Sequence, residues 1–274
     1  MKTLQLADRT ITSRSAAFIM GIVNCTPDSF YSSSRETGDL ALSLIDEGAD
    51  ILDLGGESSR PGARYISGEE EMDRLIPVIK KIRNHSDIPI SIDTRKYSVF
   101  KACREEGADI LNDISALEDD PQLGPYAASE KVPVILMHKR GNPFSMQDYT
   151  DYDDPFNEVN DYLESRIQYS KECGIDESRI ILDPGIGFGK DLKTNVTLIK
   201  NCGKLCGGKY PVLMALSRKS CIGQMTGEDV DGRLYGTLAA NIISVLNGAF
   251  MLRVHDVKPC RDTLSVLQSI EELK

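Results

Sequence analysis

The 274-residue chain is short of several things, and each shortage removes a class of function. Three histidines are too few for a histidine-rich metal centre. The seven cysteines are scattered and odd in number. Only Cys202 and Cys206 lie close together, and no second pair or nearby histidine completes a zinc-ligand set, so reduced structural thiols are expected. Basic charge is in deficit, with 32 Lys and Arg against 42 Asp and Glu. A net charge of −10 argues against nucleic acid or an anionic membrane as partner, because both repel an acidic protein. Any anionic ligand then needs a locally basic pocket. No stretch approaches the roughly 20 apolar residues of a membrane span, and MKTLQLADRT lacks the apolar core of a secretory leader. A soluble, cytoplasmic protein is predicted. Low-complexity segments are missing as well, and 41% hydrophobic residues suffice for one domain over residues 1–274.

What is present is a set of eight short apolar runs: AAFIMGIVN, ADILDLGGES, IPISIDTRK, ADILNDI, VPVILMHKRG, RIILDPGIGFGKD, PVLMALSRKS and GAFMLRVHDV. Four to seven apolar residues suit a strand buried on both faces of a parallel sheet. Each run stops on polar residues: Asn24, Asp53 with Glu57, Asp93, Asn112, His138, Asp183, Arg218 with Lys219, and Arg253 with His255. Helical periods separate them, as in EEEMDRLIPVIKKIRNHS, where Met72, Leu75, Ile76 and Ile79 make one stripe. The return from helix to strand is nearly repeated as EGADILD at 47–53 and EGADILND at 106–113, with NGAFML at 247–252 a looser copy. Glycine there supplies a left-handed helix end.

Eight strand–helix alternations in this length predict an α/β fold, a (β/α)8 TIM barrel, with residues 1–15 as a short N-terminal hairpin or plug. An open doubly wound sheet would concentrate ligand residues at one switch point, whereas here every strand has a polar end. In a barrel those ends meet on one face, so two adjacent charges after PVLMAL would enter a shared cup.

Two kinds of group would share it. Asp93, Asn112 and Asp183, with Lys219, suit a flat heterocycle carrying N–H donors and ring acceptors. The plain alternative is that the two aspartates cap helices. Arg60, Arg253 and His255, with Asn24, suit a phosphorylated ligand and a magnesium ion; for His255 the alternative is pairing with Asp256 or a backbone carbonyl. GIGFGK at 185–190 matches neither glycine-rich nucleotide fingerprint and reads as a tight turn that leaves Phe188 to pack on a planar ligand. The long loops 25–38 and 55–68 lie on the same face, where closure over substrate is expected.

The runs GIVNCTPDSF, DLGGESSRPGA, SIDTRK, NDI, MHKRGNP, LDPGIGFGKD, SRKS and RVHDV together resemble the motifs of the dihydropteroate synthase family, in the family's order and over nearly the whole chain. The resemblance implies a pterin-binding (β/α)8 barrel, usually a homodimer, that joins p-aminobenzoate to 6-hydroxymethyl-7,8-dihydropterin diphosphate for folate synthesis. It implies Asp93, Asn112, Met137, Asp183, Phe188 and Lys219 around the pterin, and Asn24, Arg253 and His255 around the diphosphate, with Asn24 holding Mg2+. Ser59, Arg60, Pro61, Lys219 and Ser220 would border p-aminobenzoate, under loops around Thr26–Phe30 and Ser58–Gly62. Catalysis would fall to Asp93, Lys219, Arg253 and His255. The chain departs from the family pattern at Ser59, Lys139 and Cys221, all bearing on the aminobenzoate pocket. A pterin-binding methyltransferase would share the carboxylates without a diphosphate site, and a non-catalytic pterin-binding paralogue would have no use for the matched charges.

Overall fold

The computed structural model describes residues 1–26, 34–58, 63–141 and 150–272. An antiparallel hairpin of β1 (Thr3–Gln5) and β2 (Thr10–Thr12) precedes eight parallel strands. These are β3 (Phe18–Asn24), β4 (Ile51–Gly55), β5 (Ile90–Asp93), β6 (Ile110–Asp113), β7 (Val134–Met137), β8 (Ile180–Asp183), β9 (Leu213–Met214) and β10 (Met251–Val254). They coincide with the eight apolar runs. Neighbours pair in chain order from β3 to β8, and β10 lies between β9 and β3. A parallel bridge between Leu182 and Val212 joins β8 to the approach to β9 and completes the ring. Across it the Leu182 N–H donates to the Pro211 carbonyl at 2.9 Å.

Around the barrel run α1 (Ser34–Asp46), α2 (Gly68–Arg83), α3 (Tyr97–Glu105), α4 (Leu123–Glu130), α5 (Pro155–Glu172), α6 (Leu192–Asn201), α7 (Ser220–Thr226), α8 (Leu234–Leu246) and α9 (Val257–Glu272). Among the described residues, no helix is long and apolar enough to cross a membrane.

The repeated helix-to-strand junction has one physical form. Gly48, Gly107 and Gly248 take φ of 97°, 104° and 100°, values that cost an L side chain and not glycine. At each, the glycine N–H donates three residues back, as Gly48 to Ile45, and the following alanine N–H five back, as Ala49 to Leu44. That pair of bonds satisfies the last helix carbonyls and sends the chain straight into a strand. On α2 the expected stripe is rotated. Leu75, Val78, Ile79 and Ile82 are buried, while Met72 and Ile76 are only half-buried.

Alternation along the strands sorts the core into two shells. Leu52, Leu54, Ile90, Ile92, Leu111, Val134, Leu136, Leu182 and Leu252 face outward under the helices. Phe18, Met20, Ile51, Ile110, Ile135, Ile181, Leu213 and Met251 fill the barrel interior, and Leu4 and Leu6 join them from the hairpin, which therefore plugs the N-terminal mouth as expected. The seven cysteines are free thiols, all buried except the half-buried Cys173.

Candidate functional site

Two residues further along the same inward faces, the side chains become polar. Asp53 on β4, Asp93 on β5, Asn112 on β6, Asp183 on β8 and Arg253 on β10 all rise to the C-terminal mouth. They reach one another across the barrel. Asn112 Nδ2 donates to both carboxylate oxygens of Asp53, at 3.3 and 3.2 Å. Arg253 Nε donates to Asp53 Oδ2 at 2.5 Å and Nη2 to Asp93 Oδ2 at 2.9 Å. Strands β4, β6 and β10 are not neighbours, so these contacts exist only because the groups share one interior.

Burial sets the electrostatics. It raises Asp93 to about 7, against the pull of Arg253 and with added repulsion from Asp53. Burial disfavours the charge of Arg253 too, but Asp53 and Asp93 outweigh it, and the guanidinium is held above its ordinary value. Asp183 is raised by burial and partly compensated by the Gly185 N–H, 2.7 Å from Oδ1, and by Lys219. Lys219 is lowered to about 8 by burial, with Asp183 opposing. Its Nζ donates to the Ile186 carbonyl at 2.5 Å and stands 4.3 Å from the centre of the Phe188 ring. Neither aspartate caps a helix. Lys96 precedes α3 with no side-chain cap, and Asp191 caps α6 by accepting the Thr194 N–H at 2.7 Å.

The structure thus gathers Asp93, Asn112, Asp183, Lys219 and Arg253, with Phe188 beside Lys219. Buried Met137 ends β7 in register with Asp183. Asn24 ends β3 opposite Gly55, half-buried, and its carboxamide makes no hydrogen bond among the described residues. Ser220 is the exposed first residue of α7. His255 is half-buried, with Nδ1 3.0 Å from Ser217 Oγ. Its expected alternative partner, Asp256, is instead taken by Arg218, whose Nε and Nη2 donate at 3.0 and 2.7 Å. Arg218 therefore does not share the cup with Lys219. Ser59, Arg60 and Pro61 lie outside the described residues, as does most of the Thr26–Phe30 and Ser58–Gly62 loops.

Arg253, grouped above with the cationic residues, also pairs with the two floor carboxylates, Asp53 and Asp93, which offset the cost of its partial burial.

Three features were not singled out from sequence. Asp53, noted only as one strand ending, is fully buried at the centre of the polar layer. Glu57 anchors the rim: Arg95 at 2.9 Å, Lys96 at 2.9 Å and the Ile66 N–H at 2.8 Å all donate to it. Burial would raise Glu57, but these donors outweigh it and hold the carboxyl below the ordinary range. Arg95 also pairs with Asp119 at 2.6 Å and stacks 3.7 Å from the Tyr65 ring centre. This rim borders a shallow hollow lined by Glu57, Ser58, Tyr65, Glu71, Asp93, Thr94, Arg95 and Ile114. Lys139 stands 3.7 Å from the same Asp119. Third, Lys190 of GIGFGK is buried, and its Nζ lies 2.9 Å from His138 Nδ1 and donates to the carbonyls of Gly185 at 2.9 Å and Phe188 at 3.0 Å. It cross-braces the turn that carries Phe188. Burial drives Lys190 well below its ordinary value and, with the nearby Lys190 charge, pushes His138 down to about 2.

The chain as a whole has counterparts among known proteins. A family profile described as pterin binding enzyme matches residues 20–255. The chain belongs to the pterin-binding enzyme family. Within that family it is 40% identical over 268 residues to the dihydropteroate synthase of Escherichia coli strain K12, covering 96% of this chain and 95% of the relative. It is 40% identical over 259 residues to that of a Synechocystis species, covering 92% and 90%. Among solved structures, Xanthomonas albilineans dihydropteroate synthase with 4-aminobenzoic acid superposes with a TM-score of 0.91 at 41% identity, over 98% of each chain. The same organism's enzyme in complex with 7,8-dihydropteroate gives 0.88 at 38%, over 98% of this chain and 99% of that one.

Proposed function

We propose that this pterin-binding enzyme is a transferase of folate biosynthesis, a dihydropteroate synthase. It joins p-aminobenzoate to 6-hydroxymethyl-7,8-dihydropterin diphosphate and releases 7,8-dihydropteroate and pyrophosphate. One observation carries the reading: Asp93, Asn112, Asp183, Lys219 and Arg253, drawn from the ends of separate strands, come together in one interacting cluster at the C-terminal mouth of the barrel. The relatives' names and the ligands in the solved family structures agree with it.

The chemistry follows from the charge layout. The bond between the pterin methylene carbon and the diphosphate oxygen breaks, leaving positive charge on the ring and added negative charge on the leaving group. The arylamine nitrogen forms the new bond to carbon and gives up a proton. The floor carboxylates are fixed before reaction, so ionised Asp93 stabilises the ring cation without reorganisation. Asn112 and Asp183 accept ring N–H groups, Lys219 donates to ring acceptors, and Phe188 covers a ring face. Ser59, Arg60, Pro61 and Ser220 border p-aminobenzoate, and holding both substrates in line supplies up to about 7–11 kcal/mol of barrier reduction. No protein nucleophile is required. The Arg253 Nη1 group, which makes no hydrogen bond among the described residues, and His255 hold the diphosphate.

Magnesium fits the donors present. Asn24 offers a carboxamide at the mouth that has no partner among the described residues, and an ion that keeps water and phosphate oxygens needs few protein ligands. When bound, it would neutralise charge on the departing diphosphate. Asn24→Ala should raise the magnesium concentration needed for half-maximal binding of the pterin diphosphate.

A homodimer is supported by an apolar surface shared by two adjacent helices. Tyr235, Ile243 and Leu246 on α8 and Val266 and Ile270 on α9 are exposed. Light scattering should report a dimer that Leu246→Glu splits.

The deciding assay incubates the purified chain with p-aminobenzoate, the pterin diphosphate and magnesium. Dihydropteroate should form in proportion to enzyme. A folded chain that binds the pterin diphosphate and yields none would overturn the reading.

A further inference from the structure

Asp53 is a buried carboxylate that the reaction described above does not use. It is wholly inaccessible, so no ligand reaches it, yet it grips two groups assigned to ligand binding. An ionised carboxylate only accepts hydrogen bonds, so the Asn112 end facing it is the amide nitrogen, at 3.2 and 3.3 Å. The Asn112 amide oxygen accepts no hydrogen bond among the described residues and is the end left for an incoming N–H. On its other side Asp53 takes the Arg253 Nε, which fixes the guanidinium plane and leaves Nη2 to reach Asp93.

We infer that Asp53 is the positioning residue of the pterin half of the cup: it turns the Asn112 amide oxygen toward the ring and splints Arg253 across to Asp93. This rests on the reading of the cup as a pterin site. A planar ligand gains from preset donors and acceptors only while their directions are fixed, and Asn112 by itself has two amide orientations of similar shape. Asp53 selects one. It does so from the strand between β3 and β5, with no atom exposed to substrate.

The test compares Asp53→Asn, Asp53→Ala, Asn112→Ala and the Asp53→Ala/Asn112→Ala double variant, measuring calorimetric affinity for the pterin diphosphate, the KM for p-aminobenzoate and the thermal midpoint of each protein. The near-isosteric Asp53→Asn still accepts from Asn112 but no longer offers a charge to Arg253, so affinity should fall by about 10-fold. Asp53→Ala releases both groups, and the loss should reach about 100-fold, the cost of a misplaced recognition group. The p-aminobenzoate KM should stay within about threefold, since that substrate lies outside this layer. Losses from Asp53→Ala and Asn112→Ala should combine to less than their product, because the first already frees the Asn112 amide.

Wild-type affinity in either Asp53 variant would overturn the inference, as would losses that multiply in full. A lowered midpoint with unchanged affinity of the folded protein would reduce Asp53 to a structural residue and overturn it as well. If the wild-type chain bound no pterin diphosphate, the reading of the cup itself would fall, an outcome visible before any variant is made.

Discussion

The lower and upper halves of the barrel interior are built by the same strands, on the same inward faces, two residues apart. At roughly 3.3 Å per residue, that is about 7 Å. Ile51 is followed by Asp53, Ile110 by Asn112, Ile181 by Asp183 and Met251 by Arg253. Below, the apolar side chains and the hairpin's Leu4 and Leu6 leave almost no accessible surface, and each fully buried one contributes about 1.5–3 kcal/mol. Above, burial works against the charges, pushing Asp93 and Asp183 up and Lys219 down. One layer stabilises the barrel and the other uses that stability to hold ions where water would release them. The contrast can be broken at either layer.

The largest effect should come from above. Asp93→Asn keeps the shape and a hydrogen-bonding oxygen while removing the charge opposite the ring cation. Turnover should fall by about 10²–10³-fold, the usual cost of losing one preorganised electrostatic group. The p-aminobenzoate KM should move less, and steady-state kinetics with each substrate varied separates the two. A larger change in KM than in turnover would remove Asp93 from the chemistry.

The next effect is in pH. Asp93 must be ionised, so kcat/KM for the free enzyme rises as pH climbs through about 7. Lys219 must keep its proton, so kcat/KM falls as pH passes about 8. A narrow bell between those values is expected, with roughly tenfold loss per unit on either limb, and Asp93→Asn should abolish the acid limb. The same shift has a stability sign. With its folded pKa raised above the unfolded one, Asp93 contributes stability that is full below about 4 and lost as pH rises through about 7. The lower layer carries no such dependence.

Much of this contrast is legible in the linear sequence. The eight runs, their polar endings and the glycine junctions are local signals, and local signals fix strand ends and helix ends. Cross-barrel partnership is not local. Nothing in DLGGES says that Asp53 will meet Asn112 and Arg253, because those contacts depend on closure. Arg218 and Lys219 show the same limit at closer range. Which of two adjacent charges enters the cup was decided by Arg218 taking a left-handed φ of 55° and finding Asp256, a choice invisible in SRKS. On α2 the stripe rotates so that Val78 and Ile82 replace Met72 and Ile76 in the buried face, which periodicity alone could not distinguish in a helix with apolar residues on both candidates.

A smaller effect should come from below. Ile181→Val removes one methylene from the lower layer and should cost about 0.5–1.5 kcal/mol by denaturant unfolding. The kinetic constants per folded molecule should be unchanged, although Asp183 is only two residues away. A change in the pterin-diphosphate KM would show that the layers are mechanically coupled, and the separation drawn above would fail.

The smallest effect concerns the one polar residue that, among the described residues, sits on the lower rung. Ser91 on β5 is fully buried two residues below Asp93, and its hydroxyl has no hydrogen-bond partner among the described residues. An unsatisfied buried hydroxyl costs desolvation without return. Ser91→Ala should therefore leave activity untouched and stabilise the fold by up to about 1 kcal/mol, read as a rise of about 2 °C in the thermal midpoint. If the substitution instead lowered the midpoint or weakened pterin binding, Ser91 would belong functionally to the upper layer, and the boundary between the two would lie one rung lower on β5 than on β4, β6, β8 and β10.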